Sequence, residues 1–293
     1  MSIAQFWFVF AMIAVVCKTW FYVLQKKYLD DDVSPYTTSY ISSLYGMIIT
    51  VPLAVYEIIF YEVELSLVLI PLLAFFGILE SLYLLVYLFA LKNLNLSIAS
   101  PVKKSKPIFV GLVEPLVLSA YIPLSLIGAS ALATIGGVMS VFGTDDSVDS
   151  YKNDITKTGL FFAGLTLIFS VTMSIISRYG ASEISPFVFG AGITITMTVV
   201  TRILLHRSDI DDKSIKSTSQ RGFILGTVGA FRSVFVWTAY SLMVATAVSV
   251  VTQSTLLFDV ILAHYYLNED VTTVQKLGIV LIFIGSIIAI IIA

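Results

Sequence analysis

The second half of the chain repeats the first at a displacement of about 150 residues, and each half carries an odd number of apolar stretches long enough to cross a bilayer. Val33-Ser34-Pro35-Tyr36 returns as Ile184-Ser185-Pro186-Phe187. Residues 90–109 align without gaps on 239–258, and Leu126-Ile127-Gly128 meets Lys276-Leu277-Gly278 after a one-residue slip. About 20 apolar residues cross the hydrocarbon core as a helix, and five such stretches fit in each half. A segment that crosses five times ends on the face opposite to its start. Two like copies in series must then lie upside down relative to each other. That is an inverted repeat, the arrangement in which carriers place a substrate site near the midplane between the halves.

Of the 293 residues, 58% are hydrophobic and 12% charged, against about 25% charged in soluble domains. Lipid must be the solvent for so much apolar surface. The formal net charge of -2 leaves no basic footprint for nucleic acid. Cys17 is the only cysteine, so no intramolecular disulfide can form. Residues 1–10 lack the Lys or Arg that a cleaved signal would require, so the first apolar stretch reads as a retained helix.

The expected fold is an all-α integral membrane protein of ten transmembrane helices, at roughly 4–24, 36–59, 67–91, 96–118, 123–143, 159–177, 187–205, 222–242, 245–267 and 274–293. Residues 1–143 form the first five-helix repeat, 144–157 a polar linker and 158–293 the second repeat. The apolar runs lack period-two alternation and are too long for barrel strands. Gly222 and Gly226 make a small-xxx-small pair, and Gly136, Gly137 and Gly285 sit in the fifth and tenth spans. Such glycines permit close helix contact, either within the chain or between two copies in a homodimer.

Eight ionisable residues fall inside the spans: Lys18, Glu80, Lys103, Lys104, Lys106, Glu114, Arg232 and Asp259. Each costs roughly 2.5–3.5 kcal/mol at a helix centre on the insertion scale, so they should face a wet cavity or one another. At about 100° per residue Lys103 and Lys106 share a face, Lys104 points away, and Glu114 lies about 12 Å along the axis from Lys106. Pro107 predicts a kink in this fourth span. The lysines read as an anion site for a phosphate or carboxylate, or as chains that snorkel to the interface. Glu80 and Arg232 sit near the middle of the third and eighth spans, with the repeat placing Glu80 opposite Gly229 and Arg232 opposite Tyr83. An ion pair between them would be a structural clamp or a gate, and Tyr83 and Tyr87 follow Glu80 at helical spacing. Asp259 shares a face with Thr252 and Thr255 and is either a proton-coupling group or a hydrogen-bonded structural carboxyl. Lys18, about six residues from the end of its span, reads as snorkelling.

Ser254-Thr255-Leu256-Leu257-Phe258, Leu267-Asn268-Glu269, Lys276-Leu277-Gly278 and Ile284-Gly285 resemble the EamA-type repeat of the drug/metabolite transporter superfamily. Lys106-Pro107-Ile108-Phe109 and Leu126-Ile127-Gly128 look like the same motif in the first half, where Ser119-Ala120-Tyr121 replaces the turn glutamate. The resemblance covers essentially the whole chain. It implies a ten-helix carrier in the cell membrane that works by alternating access, often as an exporter of metabolites, amino acids or drugs. Plastid phosphate translocators, distant members of the superfamily, hold phosphate with intramembrane basic residues, including a pair in the ninth span. Thr252-Gln253 stand at those positions here. The candidate substrate ligands are thus Lys103, Lys104, Lys106, Arg232, Tyr83, Tyr87 and Gln253. The candidate coupling or gating groups are Glu80, Glu114 and Asp259, with an anionic or zwitterionic metabolite as the expected substrate and no cofactor or metal.

The connections after odd-numbered spans carry Lys26, Lys27, Lys92, Lys152, Lys157, Arg202, Arg207, Lys213, Lys216, Arg221 and Lys276, while the other face carries only Arg178. By the positive-inside rule both termini lie outside, whereas the resemblance implies both inside. The alternatives are a sugar-phosphate or nucleotide-sugar-like exchanger of the same superfamily and, as the rival class, an intramembrane enzyme acting on a lipid or isoprenoid diphosphate, because Asp30-Asp31-Asp32 and Asp209-Ile210-Asp211-Asp212 lie on one face. Their loop-like neighbours do not give the helical carboxylate spacing that a magnesium diphosphate needs.

Overall fold

The computed structural model describes residues 6–31, 33–61, 69–93, 104–142, 157–208, 212–258 and 272–293. Lys103 and Asp259 lie outside the described residues. Ten helices have described bounds: α1 (Trp7–Asp30), α2 (Pro35–Tyr61), α3 (Leu69–Asn93), α4 (Lys106–Leu118), α5 (Leu124–Phe142), α6 (Lys157–Glu183), α7 (Pro186–Arg207), α8 (Asp212–Leu242), α9 (Ala245–Thr252) and α10 (Thr273–Ile292). No strand occurs among the described residues. Among the described residues, seven helices are long and apolar enough to cross a membrane. The others are α4, with 13 residues, and the shorter apolar helices Leu124–Met139 and Ala245–Phe258.

The recurring Ser-Pro motif starts a helix in both halves. Ser34 Oγ accepts from Thr37 N at 3.0 Å and Ser185 Oγ from Val188 N at 3.1 Å, each filling one of the orphan donors of a helix N-terminus. Pro35 and Pro186 follow at the first helical position, where a missing N–H is not felt. Ser185 also donates to the Glu57 carboxylate. Pro107 behaves likewise. The expected kink inside the fourth span is replaced by a helix that begins at Lys106, with Pro107 in the first turn. The chain turns at Ser105 and again at Gln253-Ser254, which are corresponding places in the gapless 90–109/239–258 alignment.

The closest helix partners come from opposite halves. α5 packs on α10, α2 on α7, α1 on α8, and α3 on α6. Exchanging each helix with the one five places along turns this set into itself, so α1 with α8 becomes α6 with α3. The α2–α7 seam shows the same exchange in single bonds. Ser43 Oγ and Thr201 Oγ1 are 3.2 Å apart, and Thr50 Oγ1 and Thr194 Oγ1 are 2.7 Å apart. As residue number rises by seven on α2 it falls by seven on α7, so the two helices are antiparallel. Ser43 and Thr194 are repeat counterparts, as are Thr50 and Thr201.

Glycine sets the α5–α10 contact. A Cβ at Gly285 would stand 2.8 Å from Ala129 O and 3.2 Å from Ala133 N, and one at Gly136 would strike the Gly278 carbonyl. A Cβ at Gly222 or Gly226 would strike Ile41 or Tyr45, which brings α8 onto α2. These small residues are used inside one chain. Outward, the helices show large apolar side chains such as Ile59, Phe60, Leu116, Phe161 and Ile291. Inward they bury hydroxyls, among them Thr37, Ser43, Thr50, Ser130 and Thr198. That distribution suits a chain dissolved in lipid.

Candidate functional site

The first helix presents Ala14, Lys18, Tyr22 and Gln25 at intervals of three or four residues, one stripe facing inward. That stripe meets α3 and α8 around two neighbouring chambers that share part of their lining. Glu80 and Tyr83 from α3, Tyr22 from α1, and Arg232, Ser233 and Trp237 from α8 line both chambers and form their shared wall. One chamber continues to Lys18, Lys106, Thr252 and the α6 hydroxyls of Ser170, Ser174 and Ser177. The other continues to Gln25, Ser42, Ser43, Tyr87 and Thr194. Their cavity volumes are about 90 Å³ and 40 Å³, room for a few waters.

Glycines and aromatics shape the wall. A Cβ at Gly229 would lie 2.7 Å from the Phe21 ring. Without one, Phe21 slides beneath Arg232, whose guanidinium carbon stands 4.8 Å from the ring centroid. Arg232 also donates to Ser233 Oγ at 3.1 Å. The ammonium of Lys18 stands 5.8 Å from the Tyr22 ring centroid, and Tyr22 packs at 5.6 Å on Tyr87. Cation–aromatic contact of this kind holds a charge within apolar surroundings without neutralising it. Gly190 leaves room for the Trp237 indole, which sits edge-on to Phe189 at 5.9 Å.

Glu80, Tyr83, Tyr87, Arg232 and Lys106 are therefore brought to these chambers. Lys104 and Gln253 are not. Lys104 is buried, its ammonium donates to Thr255 Oγ1 at 3.0 Å, and its carbonyl accepts from Gln253 Nε2 at 3.3 Å. Lys104 and Gln253 are repeat counterparts, so the two turned segments are tied to each other. The sequence expectation sets Lys104 and Lys106 apart as neighbours on one helix; here the turn at Ser105 lies between them.

Glu114 is fully buried away from the cavity. Its carboxylate accepts from Ala245 N and Thr246 N, both at 2.7 Å, and from Thr246 Oγ1 at 2.6 Å. It closes the N-terminus of α9, where a negative group is favoured. On the other side of the same break, Arg178 donates to Tyr240 O at 2.8 Å and Ser241 O at 3.4 Å, at the C-terminal end of α8. An acid from α4 and a base from α6 thus hold the two facing helix ends.

Sequence reasoning passed over Lys18 as a cavity group, and Gln25 altogether. For Lys18 the signal was present, because Ala14, Lys18, Tyr22 and Gln25 share a helix face. Distance from the span's end, the criterion used for snorkelling, says nothing about direction. No cluster of metal-ligating side chains occurs among the described residues.

Comparison with known proteins agrees with this architecture. A crystal structure of another protein superposes with a TM-score of 0.72 at 14% identity, covering 98% of both chains, which shows a shared fold. Comparison with curated proteins gives no match. The model of the EamA-like transporter family matches twice, over residues 5–142 and 157–291. With nearly its whole length accounted for by two family repeats, the chain belongs to the EamA-like transporter family.

Proposed function

We propose that the protein is a secondary carrier of the cell membrane that moves a small anionic or zwitterionic metabolite by alternating access between two inverted five-helix repeats. The reading of inversion draws support from the antiparallel α2–α7 pair, whose members are repeat counterparts. The observation that carries the substrate class is the charge of the cavity. Among its described lining residues, Lys18, Lys106 and Arg232 are opposed by Glu80 alone, three cations to one carboxylate. In a site of low dielectric, an excess of two positive charges favours an anion and repels a cation. Glu80 supplies a carboxylate for an ammonium of the substrate, hence the zwitterion.

Thermal unfolding of the purified chain against organic phosphates, carboxylates, amino acids and lipophilic cations tests this, since a ligand that binds only the native state raises the melting temperature. Anionic or zwitterionic compounds should stabilise, and the combined Lys18→Gln and Lys106→Gln change should abolish that stabilisation without unfolding the protein. Proteoliposome counterflow of the best ligand then separates a carrier from a binding protein. Stabilisation by cations alone would overturn the substrate class.

A further inference from the structure

Gln25 lies seven residues beyond Lys18 on α1, two turns along the same face and about 10 Å further down the axis. Gln25 is fully buried and is one of the residues that line the chamber with Ser43 and Tyr87. Neither its amide nitrogen nor its amide oxygen has a hydrogen-bond partner among the described residues. The other described buried side chains in that condition are hydroxyls, on Ser39, Thr134, Thr227 and Ser249, and none of them lines the cavity. Buried polar groups in folded proteins are nearly always paired, because an unpaired one forfeits its hydration for nothing. An amide left unpaired beside a cavity can pair with a group that enters the cavity once a change of rotamer turns it inward.

The amide's own chemistry restricts what that is. It offers one acceptor beside one donor pair, and both are neutral. An ammonium would leave the NH₂ facing a cation, and a carboxylate would leave the carbonyl facing an anion. The complementary group is neutral and carries donor and acceptor side by side, as a primary amide or a pair of vicinal hydroxyls does. The opposite chamber, with Lys18, Lys106 and the Ser170, Ser174 and Ser177 hydroxyls, suits an anion. We propose that Gln25 is a specificity-determining residue for a two-ended substrate, with an anionic group at Lys18 and Lys106 and a neutral donor–acceptor group at Gln25. This rests on the anion-site reading above and adds the neutral end.

Three carboxylate probes separate the two claims when assayed by melting temperature on the purified full chain. Adipamate carries a primary amide, gluconate carries vicinal hydroxyls, and 6-methylheptanoate carries an isopropyl group of similar shape in place of the amide. Adipamate, gluconate or both should stabilise at a concentration at least tenfold lower than 6-methylheptanoate does. Whichever of the two stabilises identifies the amide or the polyol as the source. In Gln25→Met, which keeps volume and removes the amide, the unliganded protein should melt at or above the wild-type temperature. The tenfold preference should vanish there, with the response to 6-methylheptanoate unchanged. A variant that keeps the preference, or melts well below wild type, would show that the amide is structural and overturn the proposal. A wild-type protein that responds equally to all three probes also overturns it and leaves the anion site standing. If none of the three shifts the melting temperature, the anion site fails and the two-ended substrate fails with it.

Discussion

Glu80 and Arg232 occupy the wall between the chambers, and a charge left there without an opposite partner is costly. Removing either should cost roughly 3–5 kcal/mol, and removing both should cost less. Glu80→Gln and Arg232→Met should each lower stability or transport, and the double variant should recover part of the loss. A double-mutant cycle on the melting free energy measures the coupling, and strictly additive losses would show that the two act separately. Glu114 should behave differently. It accepts two backbone N–H groups and a hydroxyl, so Glu114→Gln sets an amide NH₂ against a backbone donor. The expected loss is about 2–4 kcal/mol of stability, with the dissociation constant of any cavity ligand unchanged. A shift in ligand affinity at constant stability would instead return Glu114 to a coupling role. These two acids show what a sequence can and cannot disclose. Glu80 could be singled out because an ionisable side chain near the middle of a span is costly unless it faces water or an opposite charge. The role of Glu114 could not, because its partners are backbone groups 131 and 132 residues away.

Helices were the most legible level, and their interruptions less so. Apolar run length located the seven long helices, because the hydrocarbon thickness fixes how many residues a helix needs. The sequence reads Pro107 as a kink inside the fourth span, whereas it sits in the first turn of α4, whose start depends on where the preceding chain turns, which local composition does not specify. At the α8–α9 break, Arg178 and Glu114 supply opposite charges to two helix ends. Arg178→Gln should therefore loosen the α8 end and lower the melting temperature. Hydrogen exchange should rise at Tyr240 to Thr246 and stay level in α2 and α7. Uniform exchange along α8 would argue that the break is held by packing alone. The α5–α10 seam gives a simpler test. Gly136→Leu or Gly285→Leu places a side chain where backbone now sits and should cost at least about 1–3 kcal/mol. Exposed Leu277→Gly should not separate the helices.

Each half of the molecule is packed chiefly by the other, since the closest helix pairs join residues of opposite repeats. Residues 1–143 expressed alone should accumulate poorly in a membrane, and co-expression with residues 144–293 should restore the level. Equal levels of the half alone and the pair would show that a repeat is self-sufficient. The order of synthesis adds a delay to this dependence. Glu114 and the Ala245 amide that it binds are 131 residues apart, which at 5–20 residues per second separates their appearance by roughly 7–26 s. For that interval a carboxylate waits in the bilayer before the helix end that will receive it has been made. Slower translation of the codons between 114 and 245 lengthens the wait and should lower yield. The uncharged Glu114→Gln chain, although less stable once complete, should lose proportionally less yield than the wild type as elongation is slowed.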